Sequence, residues 1–319
     1  MALKKSNKPI IKYLADFLEY LAVEKGLSNK SQETYSRFVN KFYNWLELTN
    51  NRNLKPHELS PDHIWKYRVF LSKNINKVSG EALKKSSQNQ CLIGLRNLLS
   101  YFAERNIASL PSDKVKLSKK SEEKTIKFLQ LEQIEKLLLS PNIKTITGLR
   151  DRCILEVLFS TGMRVAELVS LNRNQLHFPP AQKNLEISII GKGNRPRPVY
   201  FSERALYWLR KYLNSRNDDE GAVFIHYKGP KLSDWRLTTK SIENIVKKYA
   251  IKAGIPIHTV PHTLRHSFAT DLLGKGVDIR TVQEFLGHKS ILTTQIYTHV
   301  VSKKLKDIHS KFHSGKDLD

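Results

Sequence analysis

The sequence predicts a mainly α-helical protein of two domains, the second of mixed α/β type with a small antiparallel sheet. Three observations carry that expectation. Apolar residues recur at helical spacing over residues 9–105; the period is lost over 106–124; and residues 185–200 switch to strand-like alternation around a Gly193-Asn194 turn signal. With 319 residues, 40% of them apolar, the chain is long enough for two ordinary cores.

Residues 1–8 form a charged start expected to fray. Ile10, Tyr13, Leu14, Phe17, Leu18 and Leu21 set the first helix, which Gly26 stops. Ser28 to Trp45 continues with Tyr35, Phe38, Phe42 and Trp45. Pro56 and Pro61 punctuate, and Ile64, Tyr67, Arg68 and Leu71 make a third helix. Ser86 to Glu104 makes a fourth, with Leu92, Leu95, Leu98, Leu99 and Phe102 inward. Lys84, Lys85, Ser86, Gln88, Asn89 and Arg96 flank it with groups of the kind that contact phosphates and base edges. Residues 106–124, rich in Ser and Lys, read as a solvated, extended linker.

The second domain is expected over residues 125–301. Leu131, Ile134, Leu137 and Leu138 share one helix, and Gly148 to Ser160 forms the next, ending at Thr161-Gly162. A helix opening at Met163 places Arg164 and Glu167 at i, i+3, so the carboxylate is expected to orient the guanidinium. Residues 185–190 and 195–200 read as a hairpin with Lys192 just before its turn, and Pro196 and Pro198 mark an edge strand. Val223 to His226 reads as a third short strand, and helices follow at about 203–215 and 238–253.

The densest chemistry lies between His262 and Tyr297. Pro261 suits a first helical position and Gly274 a stop, so a helix runs from about 261 to 274. Leu264, Phe268 and Leu272 read as its buried stripe, with His262, Arg265 and Ala269 on an adjacent face able to address one ligand. Asp278 caps the next helix, Val282, Phe285 and Leu286 form its apolar face, and Gly287 ends it, so His288 sits at a fixed exit. Ser290 is placed to cap a third helix presenting Tyr297. His262 and His266 resemble a zinc pair, but position 263 is Thr and no third ligand stands out, so His266 reads as structural.

The formal net charge of +24, divided almost evenly between the two halves, points to a polyanion gripped by both domains, and DNA is the simplest account. No run of about 18 apolar residues and no apolar leader is present, so a cytoplasmic location is expected and a membrane partner is not. Cys91 and Cys153 read as reduced packing residues.

T-G-M-R-V-A-E-L at 161–168, G-K-G-N at 191–194, H-T-L-R-H at 262–266, L-G-H at 286–288 and T-Q-I-Y-T-H-V at 294–300 together resemble the tyrosine site-specific recombinases, with a tail similar to the Xer subgroup. The resemblance covers residue 10 to the end. It implies an N-terminal helical core-binding (SAM-like) domain and a catalytic domain forming a C-shaped clamp on DNA. Arg164 and Arg265 would hold the scissile phosphate, Lys192 would act as general acid, His262 and His288 would assist, and Tyr297 would attack. Met163, Gln175, Pro196 and Pro198 depart from the family pattern without touching a catalytic position.

The chemistry agrees. Two arginines can neutralise the charge of a phosphoryl transition state without a metal, and a phenol of pKa about 10 needs cations or a base beside it to react near neutral pH. No cofactor is implied. The expected partners are a double-stranded recombination site, a homo- or hetero-tetramer on two duplexes, and a DNA translocase as activator. In the tail, 302–319, Leu305, Ile308 and Phe312 make an amphipathic face suited to a neighbouring protomer. Chromosome or plasmid dimer resolution is the expected role. Integration or excision of a mobile element, a topoisomerase-like relaxing activity and a non-catalytic DNA clamp are the alternatives.

Overall fold

Aromatic and aliphatic residues at helical spacing fold the described residues of the first unit, Met1–Glu123, into four α-helices. They are α1 (Leu14–Val23), α2 (Asn29–Leu48), α3 (Pro61–Lys73) and α4 (Lys85–Glu104). The computed structural model describes residues 3–75, 80–118, 127–176, 183, 185–191, 196–227, 235–288, 290 and 294. Gly26, at φ +59°, turns the chain out of α1, and the Ser60 hydroxyl accepts from the His63 N–H to start α3 ahead of Pro61. Phe17, Phe42, Leu46, Tyr67, Leu71 and Phe102 are buried, the Phe and Leu side chains each worth about 1.5–3 kcal/mol of transfer free energy. Phe42 meets Tyr67 edge-on with ring centroids 5.0 Å apart. Tyr35 and Phe38 lie at the margin of this core, half-buried. Gly94 allows α2 and α4 to approach closely, because a Cβ there would stand 2.6 Å from that of Phe38.

The stretch expected to be a solvated linker is partly docked. Ile107, Leu110 and Leu117 pack on the first core and Val115 is fully buried. These apolar residues fall at irregular intervals around a 3-10 turn, Ser112–Lys114, and so escape a test for periodicity. Residues 119–126 lie outside the described residues.

The second unit, Lys124–Asp319, is built around α6 (Ile146–Thr161), preceded by α5 (Leu131–Leu139) and followed by α7 (Val165–Ser170). Helix α6 is buried on almost every side, charges included, and those charges are paired. Arg150 bonds Asp151 at 2.6 Å, Asp151 accepts from the Tyr249 hydroxyl at 2.9 Å, and Arg152 bonds Glu156 at 2.8 Å. A buried charge left unpaired would cost several kcal/mol.

Strands β1 (Leu185–Ile190) and β2 (Pro196–Phe201) form a two-stranded antiparallel sheet, in register from Leu185 opposite Phe201 to Ile190 opposite Pro196. Pro196 and Pro198 fall on alternate residues, so their missing N–H groups share one side and the other side stays paired. Helices α8 (Glu203–Asn214), α9 (Thr239–Lys252), α10 (Pro261–Gly274) and α11 (Ile279–Leu286) complete the described unit.

Residues 223–226 do not form the expected third strand. The chain bends at Val223 and Phe224; Val223, Phe224 and Ile225 are buried and His226 half-buried, with isolated bridges from Asn172 to Ala222 and from Ile225 to Arg236. An apolar run signals burial, but a ladder also requires a partner of equal length, and here the partners are single loop residues.

Candidate active site

Helix α10 begins as expected at Pro261, yet its buried face differs from the one the spacing suggested. Leu264, Arg265, Ala269 and Leu273 are buried, while Phe268 and Leu272 are half-buried. A guanidinium tolerates that burial only if its N–H groups find acceptors. Arg265 donates through Nη1 to the Gly162 carbonyl at 2.6 Å and through Nη2 to the Leu286 carbonyl. His262, one turn earlier, is exposed.

Arg164 stands at the N-cap of α7 rather than within it. Glu167 therefore reaches back to two groups of one residue: Oε2 accepts the Arg164 backbone N–H at 2.7 Å and Oε1 accepts Nη1 at 2.8 Å. The second Arg164 arm, Nη2, donates to the Gly287 carbonyl at 3.2 Å. The orienting role expected of Glu167 thus has a geometry. Burial alone would raise the Glu167 carboxyl, but the Arg164 N–H and the Arg197 charge outweigh it and hold the group below the usual carboxylate range.

Asp278 caps α11 through Oδ1, which accepts from the Arg280 and Thr281 N–H groups. Gly287 ends the helix at φ +59°, and its missing side chain matters, since a Cβ would lie 2.5 Å from Arg197 Cδ. His288 leaves this turn half-buried, with Nδ1 3.0 Å from the hydroxyl of the fully buried Thr294. Burial, then the charges of Arg265 and Arg164, push His288 down to about 4. Burial first, then His262 and Arg265, push His266 down to about 4. His262 is exposed as a residue, but its ring is crowded enough to be partly desolvated, and that desolvation, then the charges of Arg265 and Arg164, hold it below its ordinary 6.5. All three imidazoles are neutral at pH 7, and His262 and His288 lie in the field of both guanidiniums.

The structure therefore brings Arg164, His262, Arg265 and His288 together. Lys192 and Tyr297 lie outside the described residues, as do the helix expected after Ser290 and the tail. Thr294, three positions before Tyr297, is fixed to His288. In the first unit, Lys84, Lys85 and Ser86 are exposed at the start of α4, and Arg96 is half-buried. Gln88 and Asn89 have partners within the unit: Gln88 donates to the Leu83 carbonyl at 2.7 Å, and Asn89 both donates to and accepts from the Ser118 backbone, at 2.9 and 3.0 Å.

Residues 127–304 match the phage integrase family, and residues 13–109 match the N-terminal SAM-like domain of phage integrases. The chain belongs to that family. It is 35% identical over 311 residues to the tyrosine recombinase XerD of Listeria monocytogenes, covering 94% of this chain and 98% of the relative. It is 34% identical to XerD of Pseudomonas aeruginosa, covering 93% and 95%, and 34% identical to XerC of Thermodesulfovibrio yellowstonii, covering 94% and 96%. This is an Xer-like site-specific tyrosine recombinase, an enzyme that breaks and rejoins DNA. The fold agrees with that of the XerH recombinase bound to its difH substrate, at TM-score 0.72, 20% identity and coverage of 97% and 98%, and with its post-cleavage complex, at TM-score 0.75, 21% identity and coverage of 99% of each chain. Among the described residues, no helix is long and apolar enough to cross a membrane.

Sequence reasoning missed Arg197. Its signal was parity: Val199 and Phe201 face inward on β2, so Arg197 does too, and a charge on the inward face of a strand needs a buried partner. It donates to Glu167 Oε2 at 2.8 Å and to the Phe285 carbonyl at 2.6 Å.

The depressed imidazoles have a measurable consequence. His266 and His288 bind protons less readily folded than unfolded, so the stability they confer is complete above pH 6.5 and is lost as pH falls towards about 4. His266→Gln should flatten the acid slope of urea unfolding between those values. A slope equal to that of wild type would show that His266 titrates normally.

Proposed function

We propose that this recombinase cleaves and rejoins a site in double-stranded DNA through Tyr297, with Arg164 and Arg265 on the scissile phosphate, Lys192 as general acid, and His262 and His288 assisting. The observation that carries the reading is the anchoring of both guanidiniums on consecutive carbonyls, Leu286 and Gly287, at the exit of α11. Two permanent charges converge there beside His288, where a phosphodiester gains negative charge during displacement.

In the step itself, Tyr297 Oη bonds to phosphorus as the bond to the 5′ oxygen breaks. The phenolic proton passes to His262, whose depressed pKa leaves it neutral and able to accept near pH 7. Lys192 delivers a proton to the departing oxygen. The product is a 3′-phosphotyrosyl enzyme and a free 5′-hydroxyl, and attack by another 5′-hydroxyl reverses the step and rejoins a strand. The bond from His288 to Thr294 supports placing Tyr297 at this site.

Dimer resolution in the cytoplasm is the favoured role, supported by the Xer names of the relatives. The working form would be a homo- or hetero-tetramer holding two duplexes, with a DNA translocase as activator. Lys84, Lys85, Ser86 and Arg96 would contact DNA from the first domain, with Gln88 and Asn89 shaping that surface. The tail, 302–319, would pack on a neighbouring protomer. A cleft of about 440 Å³ lined by Leu131, Ile134, Phe159 and Phe268, with Glu132, Glu135 and Arg204 at its edge, suits an apolar face of Leu305, Ile308 and Phe312 flanked by lysines.

Incubation with nicked suicide DNA carrying candidate sites tests the nucleophile: wild type should give a protein–DNA adduct on a denaturing gel and Tyr297→Phe none. Tight binding by wild type without an adduct would favour a non-catalytic clamp. Deleting residues 303–319 should weaken cooperative filling of paired sites in gel shifts more than binding to one site, whereas equal loss of both would remove the tail from the assembly.

A further inference from the structure

We propose that Arg197 is a positioning residue for strand cleavage, one buried cation that fixes the Arg164 turn, the exit of α11 and the Lys192 hairpin strand relative to one another. The inference rests on the roles proposed above for Arg164, Lys192 and His288.

Arg197 enters from β2, five residues after Lys192, and its side chain is 9% exposed. Nη2 reaches Glu167 Oε2 at 2.8 Å, on the carboxylate whose other oxygen holds the Arg164 guanidinium. Nη1 reaches the Phe285 carbonyl at 2.6 Å, immediately before the two carbonyls that anchor Arg265 and Arg164. The aliphatic stem lies against Gly287, where a Cβ would be 2.5 Å from Cδ and 2.9 Å from Nε. Three elements that carry site residues thus converge on one guanidinium.

Packing alone does not explain an arginine here. An apolar side chain of similar volume would fill the space without the desolvation cost of an ion, and such replacements are often neutral or stabilising. What an apolar residue cannot do is hold Oε2 of Glu167 and the Phe285 carbonyl at a fixed separation. Lysine keeps the charge and loses the fork, since one ammonium at the end of a flexible stem does not bridge both acceptors with the same geometry. The effect reaches the reacting groups through Glu167 and through the α11 exit, so Arg197 acts by way of Arg164 and His288.

Arg197→Met and Arg197→Lys separate positioning from folding when two readings are taken on the full chain. The first is the single-turnover rate of adduct formation at saturating suicide DNA, beside the affinity for the same DNA. The second is hydrogen exchange at the backbone amides of Arg164, Gly287 and His288, which does not depend on activity. Arg197→Met should slow adduct formation about 10- to 100-fold with affinity near wild type. Exchange should rise at those three amides and not within α6, and Arg197→Lys should recover part of both. Gly287→Ala, which presses a methyl on the Arg197 stem, should give the same local pattern and serves if Arg197→Met does not fold. Unchanged exchange at Arg164, or a rise spread over the whole second unit with rate and affinity falling together, would overturn the proposal. Should wild type form no adduct, the roles assigned to Tyr297 and its neighbours fall, and the exchange pattern alone upholds or overturns the coupling.

Discussion

A single buried carboxylate makes the cationic site tenable. Glu167 is 5% exposed and lies between two guanidiniums, Arg164 on one oxygen and Arg197 on the other, with the Arg164 N–H also on Oε2. In a chain of net charge +24, three arginines and three histidines at one end of a domain would repel one another. Two devices relieve the repulsion. Glu167 stays ionised because its partners outweigh the burial that would protonate it, and the three imidazoles give up their charge.

Helix ends supply the backbone acceptors for the other Nη groups of the arginines, while the buried Arg197 Nε has no partner among the described residues. Phe285 and Leu286 close α11, Gly287 and Gly162 follow α11 and α6, and all four carbonyls accept from guanidiniums. The last carbonyls of a helix have no partner within it, and the macrodipole makes that end negative, so these are acceptors suited to buried cations. This explains why glycine stands at both exits. Gly162 and Gly287 take φ +57° and +59°, turning their carbonyls out of the helix, and each lies where a Cβ would strike a neighbour, Phe268 in one case and Arg197 in the other. Fold and site thus share one construction, in which two left-handed glycines expose backbone acceptors, three arginines fill them and one glutamate offsets part of the charge.

Much of this was legible in local signals. Periodicity placed the helices of both units, Asp278 and Gly287 marked the two ends of α11, and the order of short motifs around Arg164, His262, Arg265 and His288 pointed to phosphoryl chemistry before any geometry was available. What escaped depends on partners remote in sequence. Arg265 looked like a ligand-facing residue beside a buried stripe, yet it is itself buried because Gly162 and Leu286 supply acceptors that spacing cannot reveal. The run at 223–226 has the composition of a strand, but among the described residues no strand pairs with it. Residues 107–117 lacked a period and still found the first core. Arg197 was visible by parity, but its meaning required knowing that Glu167 lay opposite.

The account turns on Glu167, and the most direct measurement is the single-turnover rate of covalent adduct formation by Glu167→Gln at saturating DNA, set beside its affinity for that DNA. The amide keeps the shape and removes the charge. If the carboxylate organises the site, the rate falls by about two orders of magnitude while DNA is still bound nearly as tightly. A rate close to wild type would contradict the account, because Arg164 and Arg197 would then hold their places without the charge that joins them.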